Sequence, residues 1–326
     1  MAALSQKNLI LSTRPFVQEN RAKSWWVTLS TLALMLGALA GTFWNVNVYA
    51  KILCSLLSGL LIVRMFVIYH DFEHRAILHG SPVASILMTV FGLYVLAPTS
   101  IWKRSHDYHH KHNSKLFSAS IGSYPIMTKE KYLALKPSDR RLYLFTRHPL
   151  TIFLGYFTMF IYGMCIRSFR VNPSKHIDSF FALILHIAAL IFTTWFLGWE
   201  TLLLTWVIPF IIACGIGSYL FYAQHNFPGV TFRENIEWSY EHAAIESSSF
   251  LKLNPVMNWF TANIGYHHIH HINARIPFYR LPEAMERIPE LREAKTISMS
   301  PRDIWKCLRL KIWDPEKQKM IALSEL

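Results

Sequence analysis

Charge is what this chain has least of. Only 16% of its 326 residues are Asp, Glu, Lys or Arg, against 52% hydrophobic and 14% aromatic. A soluble domain carries about a quarter charged residues, so the shortfall points to a membrane. Cysteine is scarce too: three of the four, Cys54, Cys165 and Cys214, fall inside apolar segments, and no C-x-x-C pair exists. A disulfide framework is therefore excluded, and cysteine says nothing for or against zinc. No internal repeat, low-complexity run or long linker interrupts the sequence, which reads as one domain over residues 1–326. Acidic residues are outnumbered, 20 to 33, for a formal net charge of +13. That surplus suits anionic lipid headgroups or an acidic protein partner. Nucleic acid is excluded, because the basic residues border apolar runs and form no aromatic-interleaved soluble module.

What the chain does have is long apolar runs, at about 25–45, 46–69, 83–98, 149–166, 177–198 and 200–223. The run from Trp25 to Trp44 is too long for a signal peptide and lacks a small-residue cleavage site, so it reads as an anchored span. A spanning helix needs about 20 residues, which leaves 83–98 short and 149–166 marginal. Arg140, Arg141 and Arg147 precede the 149–166 segment, and Arg167, Arg170 and Lys175 follow it. Both its ends look cytoplasmic under the positive-inside rule, so it is expected to be interfacial or re-entrant, as is 83–98. The turns at Asn45–Asn47 and Gly198–Glu200 hold no Lys or Arg, although Lys51 lies just inside the second span. The expectation is an all-α integral membrane protein with four transmembrane helices, 25–45 with 46–69 and 177–198 with 200–223. These form two hairpins under a cytoplasmic helical cap.

Histidine is the exception to the shortage of polar groups. Three clusters read His70-Asp-Phe-Glu-His74, His106-Asp-Tyr-His109-His110 and His267-His-Ile-His270-His271. On a helix, positions i, i+3 and i+4 share one face, so each run aims its imidazoles one way. The four-span topology puts all three on the cytoplasmic side, with His225 directly after the last span. Nine nitrogens would suit two metal ions with coordination positions left open. Imidazole alone does not choose among iron, zinc, copper and nickel. His79, His112 and His268 fall about 100° off their clusters' faces and are expected outside the ligand set. His186 lies within a span and reads as packed, and His148, His176 and His242 have no argument in their favour. Asp71 and Asp107 are candidates either to orient another cluster's histidines or simply to be solvated, and Glu73 is a candidate carboxylate ligand.

Other metal chemistries fit less well. A zinc peptidase needs glutamate beside its first histidine, where Asp71 stands. A b-type haem protein pairs histidines within its spans, and a transporter places ligands at the bilayer midplane. A metal site at the membrane face, within reach of an apolar chain, is what remains.

The series H-x-x-x-H, H-x-x-H-H, H-x-x-H-H resembles the three histidine boxes of the membrane fatty acid desaturase superfamily. Trp102-Lys-Arg-Ser before the second cluster and Gly265-Tyr266 before the third are similar to that family's contexts. The trailer Ala274-Arg-Ile-Pro277-Phe-Tyr279-Arg-Leu-Pro-Glu-Ala looks like the acyl-lipid, omega-type branch. The resemblance covers roughly residues 64–115 and 220–287. It implies a di-iron centre held by His70, His74, His106, His109, His110, His267, His270 and His271, with His225 as an additional ligand. It further implies O2 as co-substrate and removal of two hydrogens from an acyl chain borne on a lipid, CoA or acyl-carrier protein. No His-Pro-Gly-Gly haem motif is present, since His148-Pro149 continues Leu-Thr. Electrons are then expected from a separate ferredoxin or b-type cytochrome. Within the superfamily the alternative is a hydroxylase, ketolase or other oxygenase acting on fatty acids, alkanes or carotenoids. Outside it, the alternative is a non-catalytic membrane metal binder or transporter.

Overall fold

Asparagine side chains start the first two long helices. Asn20 Oδ1 accepts from the Lys23 amide at 2.9 Å and opens α1, Arg21–Phe43. Asn47 Oδ1 accepts from the Ala50 amide at 3.1 Å and opens α2, Val48–Glu73. Each cap satisfies an amide that has no partner within its helix. The computed structural model describes residues 6–44, 47–116, 124–233 and 238–326. The turn expected at Asn45–Asn47 thus lies, apart from Asn47, outside the described residues.

The chain is mostly helical. Among the described residues three stretches are long and apolar enough to cross a membrane: α1, α2 and Ile177–Ala223. A fourth arises if α3, Pro82–Tyr94, and α4, Thr99–Lys111, count as one span, but they meet at a 92° bend. Leu96 at φ 59° and Pro98 make that bend, a left-handed residue followed by one with fixed φ. The 149–166 segment forms α5, Pro149–Phe153, and a π-helical stretch, Tyr156–Arg167.

Ile177–Ala223 is not one straight rod. It comprises α6, Ile177–Leu202, a π-helical turn Leu203–Val207, and α7, Ile208–Ala223. Gly198 at φ 82°, ψ 170° breaks it, a conformation only glycine adopts readily. Beyond that point the chain folds back. The rings of His186 and Phe210 lie 4.9 Å apart, and Trp206 Nε1 donates to Thr193 Oγ1 at 3.1 Å. A straight helix would hold residues 186 and 210 about 36 Å apart.

Two pairings set the remaining layout. α1 and α2 run antiparallel: Arg64 Nε donates to Thr31 Oγ1 at 3.0 Å, and Gly41 faces Cys54. α2 and α7 run in the same direction, with Gly59 against Ile212 near one end and His70 and Gln224 lining a common cleft at the other. Outer faces of α1 and α6 stay apolar, with Trp26, Leu36, Ile191 and Trp195 exposed. That is the surface of a membrane protein.

Arg64 is the one Lys or Arg buried within these apolar helices among the described residues. Its guanidinium donates to the Trp259 carbonyl, lies 4.1 Å from the Trp259 ring centroid and binds Thr31. It thereby joins α1, α2 and the segment leading to the third histidine cluster. Arg64→Leu should cost about 2–4 kcal/mol by leaving those acceptors unpaired, lowering the thermal midpoint measured in nanodiscs. Arg64→Lys should restore part of the loss.

Candidate metal centre

The three clusters and His225 arrive from four directions. α2 delivers His70 in its last turn and His74 as its C-cap. α4 carries His106, His109 and His110 on its buried face, the spacing expected of a helix. A short helix, α8, His267–Ile272, carries His267, His270 and His271. His225 follows directly after α7. The nine sort into two groups, each with its ligand atoms within 4.8 Å of one another. One is His70, His74, His106, His110 and His270, and the other is His109, His225, His267 and His271. Every cluster contributes to the first group, and two clusters plus His225 form the second.

The Nε2 edges face each other at close range. His70 and His106 approach at 2.8 Å, His225 and His267 at 2.9 Å, and His110 and His270 at 3.1 Å. His109 and His271 follow at 3.2 Å. Two neutral imidazole nitrogens this close need a proton or a cation between them. A second proton on any ring is disfavoured: burial first, then the neighbouring imidazoles, hold His74, His106, His109, His110, His267, His270 and His271 well below the ordinary histidine value. Burial lowers His225 to about 4, even though its Nδ1 meets the Ser247 carbonyl at 3.0 Å. Neutral rings keep a lone pair free for a cation. An all-nitrogen set of five and four donors suits first-row transition metals, so the two groups could hold two metal ions.

Neighbouring groups fix the rings. Asp71 is buried, with Oδ1 at 3.2 Å from His70 Nδ1 and Oδ2 accepting from the Phe278 amide at 2.7 Å. It orients the histidine beside it in sequence, and not another cluster's histidine as the helix geometry suggested. Asp107 instead pairs with Lys103 at 3.3 Å on the surface. Glu73 lies outside both groups and accepts from Thr99 Oγ1 at 3.4 Å. Trp102 stacks on His106 with centroids 4.6 Å apart and planes 13° from parallel. Gly265, just ahead of α8, approaches the Leu251 carbonyl so closely that a Cβ would sit 2.4 Å from its oxygen.

The remaining histidines serve elsewhere. His79 is exposed. His112 stacks on Tyr108 at 3.9 Å, and His268 meets the Leu291 carbonyl at 2.9 Å. His176 contacts Ser100 Oγ at 2.8 Å, and His148 caps α5. His186 is packed, bonded to the Tyr156 hydroxyl at 2.5 Å. Sequence reasoning missed Arg64 and Gln224. A charged residue within an apolar run was the available signal for Arg64. Gln224, which donates to the Ile264 carbonyl at 2.9 Å, carried none.

The lowered histidine values have a consequence for the metal-free protein. These imidazoles stay neutral when folded but take protons when unfolded below about 6.5, so stability is complete above that value and lost as pH falls towards about 4. His225 alone should cost about 2 kcal/mol by about pH 5. Thermal unfolding of metal-stripped protein in detergent across that range should show a steep fall in midpoint, and a flat profile would contradict buried neutral imidazoles.

Comparison with known proteins agrees with this geometry. The chain is 28% identical to a fatty acid desaturase of Bacillus subtilis over 327 aligned residues, covering 99% of this chain and 92% of that protein. It is 24% identical to the sn-1 oleoyl-lipid 12-desaturase of Anabaena variabilis, covering 84% of this chain and 78% of the other. Against the sn-1 acyl-lipid omega-3 desaturase (ferredoxin) of a Synechocystis species the identity is 25%, covering 79% and 72%. The fatty acid desaturase family profile matches residues 47–302. A match running from the start of the second apolar helix through the third histidine cluster and beyond makes the assignment plain: this chain belongs to the fatty acid desaturase family.

Proposed function

We propose that the protein is a membrane-bound, O2-dependent desaturase that introduces a double bond into a lipid-borne acyl chain. The observation that carries this reading is an apolar cleft that ends at the imidazoles. Ile62, Val63, Phe66 and Val67 of α2 form one wall, and Ala213, Gly217, Leu220 and Phe221 of α7 form the other. Phe160 of the π-helical stretch also lines it, while His70, His106 and His267 close its head. From Ile62 to His70 the cleft runs about 12 Å along α2. Such a slot holds an extended hydrocarbon and offers its polar groups only at one end.

The nine histidines would hold two iron ions, with His225 completing the four-nitrogen group. Bound iron would supply the O2-derived oxidant that an unactivated C–H bond requires. The chain's own residues orient and exclude. The α2 and α7 walls align one methylene pair with the head of the slot, an entropic contribution to rate. They also keep water from the reacting carbons. Asp71 and Trp102 fix the His70 and His106 rings. The acyl chain loses two hydrogens while O2, two electrons and two protons become two waters.

The topology consistent with this is four spans: α1, α2 and the two limbs on either side of Gly198, with the bent α3–α4 pair and the 149–166 segment at the interface or re-entrant. α2 and α7 run in the same direction and end at histidines, which supports a single, cytoplasmic, basic face for the centre. An acidic electron carrier suits that face. One relative's name specifies ferredoxin, which supports a ferredoxin-type donor, with a b-type cytochrome as the alternative. Two relatives are named for acyl chains on lipid, which favours lipid over CoA or acyl-carrier protein as the carrier.

Expression in a host supplying either reductant should yield new unsaturated acyl chains, seen by gas chromatography of methyl esters. His270→Ala should abolish them and lower bound iron, whereas His112→Ala should do neither. Hydroxylated or ketolated products without a new alkene would turn the reading towards an oxygenase. Zinc in place of iron, with no O2 uptake, would turn it towards a metal binder.

The slot makes a separate prediction. A Cβ at Gly217 would have only Phe160 near it, at 3.9 Å, so larger side chains project into the open cleft. Gly217→Leu should therefore retain full iron content while turnover falls by about tenfold or more, as for a misplaced substrate. Unchanged turnover would place the acyl chain elsewhere.

A further inference from the structure

A helix near the C-terminus, α9, Pro301–Arg309, lies across the last turn of α7. The Tyr222 hydroxyl of α7 donates to the Leu310 carbonyl at 2.8 Å, and Asn226 Nδ2 donates to the Cys307 carbonyl at 2.8 Å. Cys307 and Leu308 are buried against the core. Arg302, Trp305, Lys306 and Arg309 fall on the opposite face at i, i+3, i+4 and i+7, and all four are exposed. Trp305 is 61% exposed. Asp303, 3.5 Å from Lys306, is the one carboxylate of the helix; Arg302 and Arg309 have no acidic partner among the described residues. The stripe is therefore cationic, with an indole standing among its charges.

We infer that this stripe is a binding surface for anionic phospholipid headgroups, holding α9 in the headgroup layer of the leaflet that contains the cytoplasmic ends of α2 and α7. The inference rests on the reading that α7 spans the membrane. Three observations favour a lipid surface over an acidic protein. α9 sits at the level where α7 ends, bonded to Tyr222 and Asn226. An indole exposed among cations is the composition of a membrane interface, where the ring takes the acyl boundary and the charges take the phosphates. The lipid-facing apolar surface also continues to the helix: exposed Leu150 and Phe153 lie on α5, and Phe153 stacks on Tyr219, with centroids 6.0 Å apart, beneath α9. Asn226, which bonds α9, is the residue next to His225, so the helix is tied to the chain that carries the four-histidine group.

The test uses full-length protein in nanodiscs of phosphatidylcholine, with and without phosphatidylglycerol. The emission of Trp305, isolated as the difference between wild type and Trp305→Phe, should be quenched by lipids brominated near the glycerol backbone. Trp195, isolated in the same way, serves as the control for a spanning helix. Phosphatidylglycerol retained by the protein in native mass spectrometry should fall about fivefold per charge removed across Arg302→Gln, Lys306→Gln and Arg309→Gln. Quenching of Trp195 without quenching of Trp305 would overturn the headgroup assignment alone, while failure at both would overturn the spanning reading itself. Unchanged phosphatidylglycerol retention, with a raised KM for reduced ferredoxin in the triple variant, would give the stripe to the electron carrier and also overturn the proposal.

Discussion

Nine imidazoles packed together, eight of them buried and His74 half-buried, are the constraint on which the rest of this molecule depends. Nitrogens at 2.8–3.2 Å from one another need either an N–H or a cation between them. Burial disfavours the extra protons that would make the rings cationic. Such an arrangement can persist only where rigid elements from several parts of the chain hold it. Here α2, α4, α8 and the residue after α7 each supply part. None of them holds a complete site, so the centre exists only when all four are docked.

The rest of the fold serves that docking. Arg64 looks like an anomaly in an apolar helix, but it binds the Trp259 carbonyl and so brings the approach to the third cluster against α2. Asp71 does the same one turn beyond the slot, spanning from His70 to the Phe278 amide. The Tyr279 hydroxyl then contacts Ser24 Oγ at 3.1 Å at the start of α1. The Ile-Pro-Phe-Tyr trailer behind the third cluster is thus a strap, tying that cluster to the first and both to the N-terminal helix. A motif valued in sequence as a mark of family has a mechanical purpose in three dimensions.

The parallel run of α2 and α7 has a second effect. Two helices that end at the same set of histidines leave between them a slot whose walls are apolar for about 12 Å and whose head is nitrogen. On the proposed function, reactive and hydrophobic parts of one substrate would be separated along a single axis, and position along the slot would decide which carbon meets the histidines. The slot's width depends on small residues such as Ala213 and Gly217, and not on any group that takes part in chemistry.

The sequence by itself determined the histidine spacing, the apolar runs and the basic loops. Those are local properties, since period 3.6 aims the imidazoles and run length measures a bilayer. From them the helical character, the three clusters and the shortness of the 83–98 segment were all legible. What only the tertiary structure decided was which histidine joins which group, and that the two aspartates after cluster histidines differ in fate. Asp71 is buried on His70 while Asp107 is paired on the surface. It also decided that Glu73 stands outside both groups and that Gly198 reverses the chain so that Trp206 meets Thr193. The physical reason is the same in each case. A side chain's direction follows from its own helix, but its partner comes from another element, and the docking angle between the two is a property of packing that no run of neighbouring residues contains.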